Sequence, residues 1–412
     1  MQMAYPMNSI SPAERLAQAR TQFPGLKDMI YFETSARGLL PQGALDAAMH
    51  FYEAMAHGQA KEDGGVYRAD EQARGLLARM IGAVTDEVTL TRNVTEGLNM
   101  IVAALPWQRG DNAIVCRAIE HPNGVYSLYN MRDRHGIEVR IAEPTADLAM
   151  PVDTVTQLMD ARTRLVVMSS VTFATGARTE LARIGRICRE RDIILLVDGA
   201  QSVGALDLDV HAAQVDALAV GASKYLCGPY GLGFLFVRRA LAEQLQPAYL
   251  GRFSVDLGDA HEGVQGSDRY TLMPGARRFD LGSANYPAAN AISFSLELLQ
   301  SVGVSVIEPH VLGLALRLDA GLRELGVPLI SGSVEAHRTH LVVAGWKNPP
   351  AEGAQLITDL SRHFMNRRMR ASERLGRLRF SFHLYNTADE VDQVLEAVRQ
   401  WPRLKALASL KP

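Results

Sequence analysis

A chain of 412 residues that is 47% apolar has material for a large buried core and for two domains. Its formal charge of −2 denies it the basic footprint of a nucleic-acid binder, and no apolar run reaches the roughly 20 residues of a membrane span. The three scattered cysteines (Cys116, Cys188, Cys227) form neither a disulfide framework nor a metal-ligand spacing, and the N-terminal MQMAYPMNSISPAERLAQ lacks the order of a secretory signal, so a cytoplasmic protein is expected.

Ser11-Pro12-Ala13-Glu14 is a capping box with proline at the first helical position, so a helix starts there and ends before Phe23-Pro24-Gly25. Tyr31-Phe32 is a short extended piece entering the small-residue loop ETSARGLLP, and Pro41 starts a second helix. Lys61 to Gly65 reads as a polar loop and Asp70 to Met80 as helix. Strands and helices then alternate. Strands are expected at Val88–Leu90, Ala113–Cys116, Ile137–Ile141 and Leu165–Met168, with helices from Thr95, over Asn123–Arg134 and over Glu180–Arg191. This alternation predicts an α/β fold with a mostly parallel sheet.

Residues 251–276 are rich in Gly, Asp and Ser without periodicity, and a loop of that length is functional or disordered. Helices near 286–301 and 308–324 lead to a strand His340–Ala344, a helix near 353–367, a strand Leu378–Phe382 and a helix 388–400. The expected division is an N-terminal helical segment, 1–30, packing with a small α+β domain, 301–412, and a large domain, 31–300.

Two apolar runs stand out within 193–237. Ile193 to Val197 runs into Asp198, and Ala217 to Val220 into Gly221-Ala222-Ser223-Lys224. Continuous apolar runs bounded by turn residues read as strands buried on both faces, so an acid and an amine lie just past the carboxyl ends of two strands, where open α/β sheets place ligands. That pair is either a buried ion pair or a site for pyridoxal phosphate (PLP), in which the lysine holds the cofactor and the acid pairs with its ring nitrogen.

Other motifs are equally two-sided alone. Thr91-Arg92-Asn93-Val94-Thr95-Glu96-Gly97 joins a strand end to a helix start, a phosphate site or a plain N-cap. His121, in Glu120-His121-Pro122-Asn123, can stack on a ring or act in acid–base chemistry, or be structural. Gln201 can reach a phenolic oxygen near Asp198 or cap a helix. Arg379, on the alternating strand Leu378–Phe382, suits a substrate carboxylate if it faces the crevice and means nothing if it faces solvent.

In combination, T-x-N-x-T-E-G, E-H, V-D-G-A-Q, S-K-x-x-x-G-P-x-G and R-x-S-x-H-x-Y-N-T-x-x-E-V-D resemble the class V aminotransferases. This is the PLP fold-type I branch that includes cysteine desulfurases, selenocysteine lyases and isopenicillin-epimerase-like proteins. The likeness runs from about Tyr31 to Val398. It implies that Lys224 is the Schiff-base lysine, that Asp198 pairs with the ring nitrogen and Gln201 with the ring oxygen, and that His121 stacks on the ring. Val94 and Thr95 match the phosphate-binding turn, and Ser223 stands where the family often has a phosphate-contacting histidine. Ser283 matches a threonine that reaches the phosphate of a neighbouring subunit, which implies a homodimer with shared sites. Arg379 matches the substrate-carboxylate arginine, and Arg37 is a second candidate substrate contact or a surface residue.

Two departures bear on the reaction. Desulfurases of this branch carry a nucleophilic cysteine on a loop shortly before that arginine, whereas no cysteine occurs here after Cys227. Desulfurases also commonly place Asn where Phe173 stands and His where Ser170 stands. The expected activity is therefore PLP chemistry on a small α-amino acid, with amino transfer first. The alternatives are a C–S or C–Se β-lyase or an epimerase without a persulfide cysteine, and a PLP-free binding or regulatory module.

Overall fold

The computed structural model describes residues 10–59, 68–258, 269–330 and 334–410; the expected loop Lys61 to Gly65 lies outside them. Its local structure follows the chain's punctuation. Ser11 caps the helix Pro12–Arg20, accepting from Glu14 N at 3.3 Å while its own N–H donates to Glu14 Oε2 at 2.7 Å. Pro41, extended at φ −70°, precedes the helix Gln42–Ala56.

After β1 (Ile30–Phe32) come β2 (Val88–Thr91), β3 (Asn112–Val115), β4 (Glu138–Ile141), β5 (Thr163–Ser169), β6 (Ile194–Asp198), β7 (Ala217–Gly221) and β8 (Gly233–Val237). From β2 onward these form one seven-stranded sheet in the order β2-β8-β7-β6-β5-β3-β4. Neighbours from β7 to β4 are parallel, and β8 runs antiparallel to both β7 and β2. The sheet is mostly parallel, as the alternation of elements predicts.

Its central strands are buried on both faces because successive side chains alternate. Leu195, Val197, Leu218 and Val220 enter one core; Leu196, Ala217 and Ala219 enter the other. That second core also takes Leu98 and Ile101 from the helix Val94–Ala104, and Val125 and Leu128 from the helix Pro122–His135. One more step of the alternation puts Asp198 on this same face, at the carboxyl edge where both helices begin.

The long loop carries a short antiparallel pair, β9 (Val255–Asp256) and β10 (Thr271–Leu272), with 259–268 outside the described residues. A four-stranded sheet is built from β11 (Leu341–Ala344), β12 (Met369–Arg374) and β13 (Arg377–Ser381) together with β1, in the order β1-β12-β13-β11. β1 runs parallel to β12, so the chain's first strand pairs with its C-terminal part. We propose keeping the three-part division of the chain with Ile30–Phe32 assigned to this smaller sheet. The N-terminal helix lies against the C-terminal part, with Arg20 Nη2 2.7 Å from Glu390 Oε1.

Two differences from the sequence reading have physical causes. The helix expected from 308 begins at Val304 and holds Pro309 inside it at the sixth position, where the proline forgoes a single i→i−4 bond that the packing of Ile307 and Val311 offsets. β12 was not anticipated: its residues Met369–Arg374 mix charges without a clean apolar alternation, and the hairpin turns on Leu375 and Gly376, both at positive φ. Among the described residues no single helix is long and apolar enough to cross a membrane. Tyr286–Val302 and Val304–Glu324 meet at 79°, and Ile292, Leu296, Ile307 and Leu318 from this pair are core residues.

Phe380 is 1% exposed, with its ring 6.3 Å from that of Phe32 and 5.8 Å from that of Phe364. Phe380→Ala is expected to cost about 3–5 kcal/mol, read as a lower urea midpoint for the C-terminal part.

Candidate active site

Asp198 ends β6 and is buried, with 8% of the residue exposed. Ala200 N donates to its Oδ1 at 2.9 Å. β7 stops at Gly221, and the loop that follows is tied tightly: Ala222 N donates to Leu232 O at 3.1 Å, Gly228 N to Ala222 O at 2.8 Å and Cys227 N to Lys224 O at 3.1 Å. From the other side the segment 33–38 crosses this loop, with Gly38 N donating to Ser223 O at 2.8 Å. A β-carbon on Gly38 would stand 2.0 Å from Lys224 O, so no other residue permits this approach. The lysine is thus held on a rigid loop.

Burial pushes the Asp198 carboxyl above its ordinary range and the Lys224 amine below its own, and their mutual attraction opposes both shifts. The charges of Arg379 and Arg374 lower the lysine further. Burial likewise lowers His121, against the pull of Asp198. His121 is the N-cap of the helix Pro122–His135, its Nδ1 accepting from Asn123 N at 3.3 Å.

Phe173 connects these groups to the smaller sheet. Its ring stands edge-on to His121 with centroids 4.7 Å apart, and its carbonyl accepts from Arg379 Nη1 at 2.8 Å. The guanidinium carbon of Arg379 lies 5.4 Å from the ring centroid, and that of Arg374 5.7 Å. Arg379 therefore faces the crevice rather than solvent. It is 3% exposed, its Nε and Nη2 have no protein partner, and burial lowers it to about 10. A buried guanidinium with two unused donors is matched to an incoming carboxylate.

The remaining predicted residues surround this cluster unevenly. Val94 and Thr95 open the helix Val94–Ala104, capped by Asn93, whose side chain accepts from Glu96 N at 3.0 Å. A β-carbon on Gly221 would be 3.2 Å from Val94 Cγ2, so this helix N-terminus abuts the end of β7. Gln201 Nε2 donates to Ser35 O at 3.1 Å, and its buried Oε1 has no partner. Arg37 is exposed, its carbonyl accepts from Tyr31 Oη at 2.7 Å, and among the described residues no side-chain hydrogen bond or ion pair joins it to the cluster. Ser283 is exposed and lines a cleft of about 850 Å³ with Thr91, Arg92, Glu96 and Tyr286. Asp280, three residues before it, is held bidentately by the buried Arg74 at 3.1 Å on both oxygens.

The family model of aminotransferase class-V matches residues 30–394. The chain belongs to that family. It is 27% identical to a probable cysteine desulfurase of Pyrococcus abyssi over 92% of this chain and 96% of that protein. It is also 27% identical to the Escherichia coli cysteine desulfurase CsdA, over 95% and 98%. A solved complex of the cystine C-S lyase C-DES with its reaction product cysteine persulfide superposes with a TM-score of 0.81 at 25% identity, covering 95% of this chain and 100% of that one.

The cofactor of this class V protein is PLP. The residues fit it: a buried carboxylate, an amine on a rigid loop, an orphaned Gln201 Oε1 and a helix N-terminus converge on the sheet's carboxyl edge. The relatives also favour lyase chemistry over amino transfer, the first expectation from sequence. All three cysteines are buried, with burial raising Cys116 and Cys188 to about 12 and Cys227 well above the usual thiol range. None is poised as a thiolate.

Two members of the cluster were not singled out from sequence. Arg374 was hidden with the unanticipated β12. Glu120, read only as the first letter of E-H, is 8% exposed; Ser169 N donates to its Oε1 at 2.8 Å, and the Ser169 hydroxyl bonds its Oε2. Burial raises Glu120 to about 7, with Asp198 adding to the rise and Ser169 resisting it. A folded-state pKa above the unfolded one means that stability from this group is complete near pH 4 and is lost as pH rises through about 7. Thermal melts between pH 5 and 8 are expected to show this decline, and Glu120→Gln is expected to flatten it.

Proposed function

We propose that the protein is a PLP-dependent C–S lyase that cleaves the Cβ–S bond of small sulfur-substituted α-amino acids. The net reaction takes one water and yields pyruvate, ammonia and the sulfur fragment as R–SH. The observation that carries this reading is the segment ahead of Arg379. Where desulfurases keep a loop with a nucleophilic cysteine, this chain has a hairpin, Arg374 pairing with Arg377 around a two-residue turn, and no cysteine. Sulfur must then leave on the substrate's own fragment.

When bound, PLP withdraws electrons from the substrate's Cα. Asp198, held by Ala200 N, would set a carboxylate at the ring nitrogen and stabilise a proton there. Lys224 Nζ, lowered by burial, moves the Cα proton, since an amine with a depressed pKa is a competent base near neutrality. With PLP held there, His121 would cover one face of the ring, Gln201, whose Oε1 has no protein partner, would face the ring oxygen, and Val94, Thr95 and Ser223 would supply donors to the phosphate. Arg379 takes the substrate's α-carboxylate, and Arg37 is kept as a second, weaker candidate contact.

The Ser283 role extends this proposal to a homodimer with shared sites. Leu45, Met49, Tyr52 and Met55 are 44–57% exposed and recur at helical spacing along Gln42–Ala56, an apolar stripe suited to a second copy. Light scattering should report a dimer, and Ser283→Ala should weaken PLP binding.

The PLP-loaded protein incubated with L-cystine is expected to release pyruvate and persulfide sulfur in equal amounts without an amino acceptor. Keto acid that appears only when an acceptor is added would replace this reading with amino transfer. Lys224→Ala should lose the yellow colour and reduce turnover by roughly 10²–10⁴-fold. Asp198→Ala should retain bound PLP while losing most turnover.

A further inference from the structure

β12 and β13 present a second cation to the substrate crevice. In their register Ser372 lies opposite Arg379 and Arg374 opposite Arg377, so Arg374 and Arg379 are diagonal neighbours on one face of the hairpin. Such positions are about 7–8 Å apart at the backbone, within reach of long side chains. Both guanidinium groups approach the ring of Phe173. Two like charges converging on one aromatic ring repel each other, and the nearby carboxylate of Glu33 acts on Arg379. Among the described residues no carboxylate forms an ion pair with Arg374, and the adjacent Glu373 is engaged by Thr358 Oγ1 at 2.6 Å.

The hairpin tip is anchored, so Arg374 does not simply trail in solvent. Arg377 Nε donates to Trp346 O at 2.9 Å, and a β-carbon on Gly376 would stand 2.8 Å from Ala354 Cβ. Arg374 is exposed where Arg379 is buried, so the two cations mark the mouth and the depth of one crevice.

We propose that Arg374 forms a distal anion subsite that selects amino-acid substrates bearing a second carboxylate at the far end of the sulfur side chain. Arg379 holds the α-carboxylate, and Arg374 holds the carboxylate on the departing fragment. The charge of Arg374 also reaches Lys224 and His121, so a bound distal carboxylate neutralises a cation that otherwise lowers the lysine. Cystine, with a carboxylate at each end, has the required form. The subsite rests on the lyase reading for its substrate and on the hairpin register for its position.

The test compares wild type, Arg374→Gln and Arg374→Lys as PLP-loaded protein. The ratio of kcat/KM for L-cystine over S-methyl-L-cysteine should fall about tenfold or more in Arg374→Gln, mainly through KM, and recover in part in Arg374→Lys. Calorimetric binding of the unreactive dicarboxylate adipate, set against hexanoate, should show a preference that Arg374→Gln abolishes. An unchanged ratio and an unchanged adipate preference in Arg374→Gln would overturn the subsite, as would equal losses for both members of each pair. If wild type releases no pyruvate from either amino acid, the lyase reading fails, and the adipate comparison still decides the subsite.

Discussion

The opposition of Asp198 and Lys224 in a buried crevice is the constraint around which this molecule is arranged. Neither charge is favourable there alone: burial raises the acid and lowers the amine, and each partly restores the other. A buried pair of this kind is a weak source of stability, because desolvation costs about as much as the attraction returns. The scaffold supplies what the pair does not, through two apolar cores on the faces of a sheet whose strand ends carry both groups.

Phe173 extends this arrangement into the C-terminal part of the chain. Its carbonyl fixes Arg379 on β13 while its ring meets His121 at the start of a helix on the large sheet. The crevice-facing arginine is therefore oriented by a residue from the β5 side of the molecule. A smaller or polar side chain at 173 would leave the backbone bond intact but remove the shared face on which His121, Arg379 and Arg374 converge.

Much of this was legible in the sequence because the relevant signals are local. An apolar run ending in Asp or Gly specifies a buried strand with its polar group at the edge, so Asp198 and Lys224 could be placed beside one another before any coordinates. Their meeting with His121 was implied only by the family resemblance, since alone that residue reads equally well as structural. The features that escaped notice depend on distant pairings. β1 has three residues and finds its partner at Met369–Ala371, a contact no local pattern encodes. β12 carries Arg-Ala-Ser-Glu-Arg, which reads as solvated surface until its pairing with β13 is known. Glu120 looks like an ordinary loop acid; only the folded strand end at Ser169 shows it to be buried and hydrogen-bonded.

The position of the missing cysteine and that of Arg374 belong to one argument. A desulfurase that carries sulfur on its own thiol needs a reachable, ionisable cysteine near the substrate's Cβ, on a segment free to move. A hairpin closed by two residues and anchored at Trp346 and Ala354 cannot supply that freedom. A substrate that already contains a second sulfur needs no protein thiol, since cleavage at Cβ sends both sulfurs off together on the departing fragment as a persulfide. What such a substrate does require is a fixed contact for that fragment's charge, and a guanidinium on a rigid turn meets that requirement better than a mobile thiol would. On the proposed lyase reading, the exchange of a flexible nucleophile for a rigid cation keeps the Cβ–S bond as the one broken and changes where the sulfur goes, from a protein thiol to the substrate's own departing fragment, with the acid, the lysine and the buried Arg379 left in place.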